Sequence, residues 1–269
     1  MSLDPLVYIS LTSIHSRQES LLSVLKNLKL QTYSNIKICL WLSKEPYLLD
    51  DGFDACPMNA ELTEYLNANT EIEVNWTPNT GPYRKFLPML ERFWEKEALI
   101  FTVDDDILIE CDTVQLYVEA YTSVESRICS TSTYLVLPKG LQSDFTCSGI
   151  PISRDIMAIG CSGVLYNTKW FTDKRILDTA LAHTICKHED DLWYHIWMIH
   201  GNLPTTYLTA LRHIDKCPDI SIYNVFNSNN RSKLLSMASL QRAYDAGILA
   251  CLVSVVPDNI KIKRLISFR

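Results

Sequence analysis

Leu99-Ile100-Phe101-Thr102-Val103-Asp104-Asp105-Asp106 decides the fold: five apolar or β-branched residues run without interruption and then stop at three adjacent carboxylates. A short apolar run of this kind reads as a strand buried on both faces, the signature of a parallel sheet covered by helices. Working outward, Leu6-Val7-Tyr8-Ile9-Ser10-Leu11 reads as a first strand, and Gln18 to Leu30 as a helix with Leu21, Leu22, Leu25 and Leu28 on one face. Ile36-Lys37-Ile38-Cys39-Leu40-Trp41-Leu42 follows as the next strand. Strand, helix and strand within the first ~40 residues make a crossover unit and hence a parallel pair. Glu71 to Trp76 alternates polar and apolar residues as a half-exposed strand does, and Tyr83 to Lys96 is expected to be helical. Residues 130–162, rich in Ser, Thr, Gly and Pro, are expected to mix short strands with loops, before a helix over His188 to His200. The expected fold class is therefore α/β, a mainly parallel central sheet flanked by helices. No internal repeat or linker divides the 269 residues, so one domain is expected. Its first ~110 residues are expected to form a nucleotide-binding half and the remainder an acceptor-facing half.

Composition narrows the class. Hydrophobic residues at 47% and charged residues at 21% are ordinary for a globular protein. A net charge of −6 with a pI near 5.5 argues against nucleic acid as a partner, because phosphate tracking needs basic patches. Nucleotides remain open, since a metal and a few placed cations can hold a diphosphate. The nine cysteines are scattered without a C-x-x-C pair, which suits reduced buried thiols and a cytoplasmic location. Met1-Ser2-Leu3-Asp4-Pro5 lacks a basic region followed by an apolar one, so no signal peptide is expected. The longest apolar runs, such as Ile248 to Pro257, fall short of the ~18 residues of a membrane span, leaving only peripheral membrane contact open.

Three stretches carry chemistry, and two single residues join them. Ligands of open α/β sheets bind beyond the carboxyl ends of the strands, where the acidic triplet stands. In an extended segment Asp104 and Asp106 share a face, so the pair is a candidate Mg²⁺ or Mn²⁺ site, and a solvated turn is the plainer alternative. Asp105 falls on the other face and is counted among the donor contacts. His188-Glu189-Asp190-Asp191 opens a helix, where the macrodipole alone favours acidic residues. Company with the triplet suggests a base for an acceptor hydroxyl, with Asp191 the first candidate and Asp190 its rival. His188, Asp191 and His195 at i, i+3 and i+7 form a competing metal triad. Asn79-Thr80-Gly81-Pro82-Tyr83-Arg84-Lys85 is a turn before a helix, with Lys85 and Arg84 supplying positive charge near a diphosphate. Arg17 can contact base or phosphate, and His213 is a further candidate metal ligand.

Taken together, these stretches resemble the GT-A glycosyltransferases, close to the family-2-like bacterial and viral enzymes. The likeness rests on Val7 to Ser13, Leu40 to Glu45, Thr80 to Lys85, Thr102 to Ile107, Gly163 to Tyr166 and Asp190 to Trp193, in the family's order, and it fades beyond residue 200. It implies a nucleotide-diphosphate sugar donor held by the loop after Leu11, including Thr12 and Arg17, with Trp41 to Ser43 at the end of the second strand. It implies Asp104 and Asp106 as metal and diphosphate contacts, Lys85 near the donor, and the Asp190–Asp191 pair as the base, hence single displacement with inversion. The implied acceptor is a glycan, glycolipid or other hydroxyl compound of cell-surface polysaccharide or glycoconjugate synthesis. Two departures stand out: His15 where relatives tend to have proline, and Gly160-Cys161-Ser162 where they often carry more glycines. A sugar nucleotidyltransferase is the nearest enzymatic rival, although Thr12-Ser13-Ile14-His15 has no glycine for a phosphate loop. A non-catalytic nucleotide-sugar-binding module is the rival from another class.

Overall fold

The first strand, β1 (Val7–Thr12), sits inside the sheet with parallel partners on both sides. On one side β2 (Ile36–Leu42) runs in register from Val7 opposite Ile36 to Thr12 opposite Trp41, and β3 (Glu73–Trp76) continues outward from it. The connections are α1 (Gln18–Leu28), which buries Leu21, Leu22, Val24, Leu25 and Leu28, and α2 (Ala60–Ala68), capped by the Asn59 side chain accepting from the Leu62 N–H at 2.8 Å. On the other side lies β4 (Leu99–Thr102), reached through α3 (Leu87–Arg92). The strand order thus reverses at β1 and β4, and the crevice beyond their carboxyl ends is the place such a sheet offers a ligand.

The chain is described by a computed structural model over residues 4–124, 127–129, 133–137, 140–142, 145–147, 152–153, 156–208, 213–216, 231–249 and 260–262. After β4 come β5 (Ile107–Ile109), α4 (Thr113–Val124), β6 (Arg127–Cys129), β7 (Thr133–Leu137), β8 (Gly140–Gln142), β9 (Phe145–Cys147), β10 (Ile152–Ser153), β11 (Ile156–Ala158) and β12 (Val164–Asn167). Then follow α5 (Thr179–Cys186), α6 (Asp190–His200), β13 (Thr205–Tyr207), β14 (His213–Lys216), α7 (Arg231–Asp245) and β15 (Ile260–Ile262). The main sheet has eight strands in the order β10, β13, β6, β12, β4, β1, β2, β3, with β12 antiparallel to β4. Side chains alternate across it: Phe101 enters the core under α1 and α4, whereas Ile100, Val164 and Tyr166 enter the core under α6. Gly163 (φ 112) stands against the Phe101 ring, where an added Cβ would lie 2.2 Å from Cζ. No helix among the described residues is long and apolar enough to cross a membrane.

The expected helix over Tyr83 to Lys96 is divided: a 3₁₀ turn spans Gly81–Lys85, and α3 starts only at Leu87. Pro88 is the reason, since a proline inside a helix would clash with the carbonyl four residues back and lacks an N–H to donate. The expected start of α6 at His188 also moves, because Lys187 adopts φ 56 and helical structure begins at Asp190.

Candidate active site

Backbone bonds fix the end of β4: the Val103 N–H donates to the Ser10 carbonyl (3.2 Å) and the Asp104 N–H to the Cys161 carbonyl (3.4 Å). Beyond Asp104 the chain turns at Asp105 and Asp106, so the alternation of an extended segment stops there. Asp104 stays about one-third exposed, its Oδ1 2.9 Å from Lys85 Nζ. Asp105, expected as a donor contact, is instead turned inward and 4% exposed. Both its oxygens are engaged: Ser13 Oγ donates to Oδ2 (2.5 Å) and Arg17 Nη1 to Oδ1 (2.8 Å). Arg17 Nη1 also lies 3.5 Å from Asp106 Oδ2, while Asp106 Oδ1 is buried without a partner. Burial, and then the charges of Asp104 and Asp105, push the Asp106 carboxyl up to about 6.

Neighbouring cations face opposite ways. Arg84 points back into the protein, where Nη2 donates to Asp50 Oδ2 (3.0 Å) and to the Ser13 carbonyl (3.2 Å). Asp50, which sequence reading missed, also accepts from the His15 N–H (3.0 Å), the Gly52 N–H (3.2 Å) and Asn79 Nδ2 (3.0 Å). One buried carboxylate therefore ties the loops after β1, β2 and β3 together. Its signal was the Asp51-Gly52 turn that follows it, a common setting for an Asp that bonds backbone ahead of it. Lys85 points toward the crevice instead, its carbonyl held by Ser10 Oγ at 2.6 Å. Its Nζ lies 2.9 Å from Asp104 Oδ1 and 3.1 Å from Asp190 Oδ2. Burial works against the ammonium, yet Asp104, Asp190 and Asp191 together hold its pKa well above the ordinary lysine value.

The start of α6 brings the second acidic cluster to the same point. Asp190 is buried against Lys85, and half-buried Asp191 accepts the Gly160 N–H at Oδ2 (3.0 Å). Gly160 leaves Asp191 its position: a Cβ there would sit 2.8 Å from Asp191 Oδ1 and 3.2 Å from Lys85 Nζ, so one of them would have to shift. Burial raises both carboxyls, with Asp190 adding to the effect on Asp191, whose pKa is pushed up to about 7 against Lys85 and the Gly160 N–H.

The remaining expected residues are placed as follows. Thr12 Oγ1 donates to the Trp41 carbonyl (2.8 Å), joining the ends of β1 and β2. Trp41, expected to line the donor pocket, is 6% exposed with the Arg92 guanidinium 5.1 Å over its ring, and Ser43 is fully buried. Both belong to the interior because helices or loops cover both faces of β2. His213 pairs with Ile109 through the backbone, and its side chain lies outside the described residues. The triad of His188, Asp191 and His195 is not assembled. His188 precedes the helix, with its ring beside Tyr47 and His183, while fully buried His195 has Nδ1 3.1 Å from Arg127 Nη2. Among the described residues no group of three or more His, Cys, Asp or Glu is arranged to hold a metal ion. Asp104 and Asp106 would thus offer two protein ligands, a number that suits a hard ion sharing its shell with diphosphate and water. Charge balance fits such an ion: among the described residues, ion pairs to Asp104, Asp105, Asp106 and Asp190 come from Arg17 and Lys85, and Asp106 Oδ1 is buried without a hydrogen-bond partner there.

No protein-family model matches the sequence, and none of the curated proteins compared with it is similar in sequence. Solved structures do resemble it. The mannosyltransferase PcManGT from Pyrobaculum calidifontis, in complex with GDP-Man and Mn2+, superposes with a TM-score of 0.51 at 10% identity, over 82% of this chain and 59% of that one. The fold is of the GT-A type. S. aureus TarS 1-349 gives a TM-score of 0.49 at 12% identity over 77% of this chain, and its complex with UDP-GlcNAc gives 0.48 at 13% over 77%. This chain spans 59% and 57% of those two structures. In the GT-A fold of this protein the acidic triplet stands at the reversal of strand order, and α6 delivers Asp190 and Asp191 to it from across β12.

Proposed function

We propose that this protein is a metal-dependent, inverting glycosyltransferase that moves a hexosyl or deoxyhexosyl group from a nucleotide-diphosphate sugar to an acceptor hydroxyl. One observation carries the reading: Lys85 Nζ joins Asp104 at the end of β4 to Asp190 at the start of α6. Two acidic clusters about ninety residues apart in sequence thereby form one site in a GT-A fold. A diphosphate needs positive charge and a transfer to a hydroxyl needs a base, and both are within reach of that point.

In this reading Asp104 and Asp106 hold Mn²⁺ or Mg²⁺, which when bound offsets the charge developing on the leaving diphosphate. Arg17 lies beside Asp105 and Asp106 and adds fixed positive charge near the phosphates, while Lys85 stands between the donor-side Asp104 and Asp190. The loops after β1, β2 and β3, tied together by Asp50, shape the donor side. Asp191 is the base, since its carboxyl titrates near neutrality while Asp190 is committed to Lys85. Asp191 takes the acceptor hydroxyl proton as the oxygen attacks C1 from the face opposite the diphosphate. The C1–O bond breaks with oxocarbenium character, and its electron pair leaves with the nucleoside diphosphate. The acceptor, a glycan, glycolipid or other hydroxyl compound, lies toward the half of the chain after residue ~110. A cytoplasmic place in cell-surface polysaccharide or glycoconjugate synthesis accords with the free cysteines Cys39, Cys56, Cys111 and Cys186.

The test is release of nucleoside diphosphate from a panel of nucleotide sugars with Mn²⁺, with and without simple glycoside acceptors. Turnover that is lost in Asp191→Asn, while donor still raises the melting temperature, supports the reading. Full activity in both Asp191→Asn and Asp190→Asn discards the base assignment, and no turnover or donor binding across the panel discards the function.

A further inference from the structure

Lys85 is anchored at its backbone and meets both acidic clusters at its tip. Its carbonyl is fixed by Ser10 Oγ, and its Nζ stands between Asp104 Oδ1 and Asp190 Oδ2 at 2.9 and 3.1 Å. The side chain is 6% exposed, and a Cβ at Gly160 would lie 3.2 Å from its Nζ. Asp104 is the more open of its two partners, with side-chain exposures of 31% and 9%. An ion arriving from solvent at Asp104 and Asp106 therefore meets the Lys85 ammonium already on Asp104. Two cations on one carboxylate, whose two oxygens lie close together, repel in a site sheltered from water. A buried ammonium also cannot be left without a partner. Asp190, with Asp191 beside it, is the seat that remains.

We infer that Lys85 is a shared counter-ion coupling the two acidic clusters: metal entry at Asp104 transfers its ammonium to Asp190 and Asp191. The inference rests on the metal site proposed above and adds a regulation of it. Loading the donor side places positive charge wholly on the base side, so the acidic start of α6 is readied only when the metal is in place. Coupling of this kind is reciprocal, so a change at Asp190 must alter metal affinity at Asp104, without Asp190 touching the ion.

Direct Mn²⁺ binding tests this, read from the electron paramagnetic resonance signal of free Mn²⁺ titrated with the full chain, without donor or acceptor. Lys85→Met removes the competitor and is expected to tighten binding by on the order of tenfold. Asp190→Asn removes the second seat and is expected to weaken it by on the order of tenfold. Loss of a nearby negative charge could weaken binding unaided, so the double variant decides: with Lys85 gone, Asp190→Asn should shift affinity less than about twofold. Wild-type affinity in both single variants, shifts in the same direction, or a full loss from Asp190→Asn in the Lys85→Met background each overturns the coupling and leaves the metal site standing. A wild-type chain that takes no manganese overturns both. Should Lys85→Met fail to fold, judged by thermal unfolding, Lys85→Gln replaces it in the same cycle with the same expected directions.

Discussion

Gly160→Ala is the sharpest perturbation available to the proposed base. The new Cβ would meet Asp191 Oδ1 at 2.8 Å, short of the 3.4 Å at which ordinary contact begins, so the carboxylate or the 3₁₀ turn Gly160–Ser162 must yield by roughly 0.6 Å. Lys85 Nζ, 3.2 Å from the same point and already paired with Asp104 and Asp190, limits the space into which Asp191 can move. The shift lengthens the 3.0 Å bond from the Gly160 N–H to Asp191 Oδ2. A hydrogen bond to a charged group contributes about 1.5–3 kcal/mol, and that much in a barrier is a factor of roughly 10–100 in rate. Two readouts follow. In steady-state transfer, kcat should fall by about 10–100-fold with donor KM nearly unchanged, because Gly160 meets the base and not the phosphates. The Gly160 N–H also favours the charged carboxylate, so its loss should move the acid limb of the kcat–pH profile upward. A variant with kcat within twofold of wild type and an unmoved acid limb would refute both the base assignment and its positioning.

Three further outcomes are expected. The wild-type kcat should decline as pH drops through the Asp191 pKa, which lies below the metal-free value of about 7 because Lys85 moves onto the base side when metal enters, and this limb should vanish from the residual activity of Asp191→Asn. Asp50→Ala strands the buried Arg84 guanidinium and removes the acceptor shared by His15, Gly52 and Asn79; denaturant titration should show a loss of about 3–5 kcal/mol. Gly163→Ala forces φ 112 on a residue with a Cβ and drives it to 2.2 Å from Phe101 Cζ, so unfolding free energy should fall by about 3 kcal/mol or more.

The sequence alone determined the parallel unit of β1, α1 and β2, and the strand that carries the acidic triplet, because apolar run length and helical periodicity are local properties. It also marked both acidic clusters and Lys85 as candidates. Helices α2, α4, α5 and α7 escaped notice, and Pro88, visible in the chain, should have divided the expected helix after Gly81. Tertiary structure alone decided the rest of the site. Alternation along an extended strand ends where the chain turns, so only packing could show that Asp105 faces Ser13 and Arg17 while Asp104 faces Lys85. Adjacent Arg84 and Lys85 are alike in sequence, yet Asp50 draws one inward and the acidic crevice takes the other. The meeting of Gly160 with Asp191, and of Lys85 with both Asp104 and Asp190, depends on the end of β4, two 3₁₀ turns and α6 brought together by the sheet. Contacts of that range follow from burial summed over the whole core, which no local stretch of residues encodes.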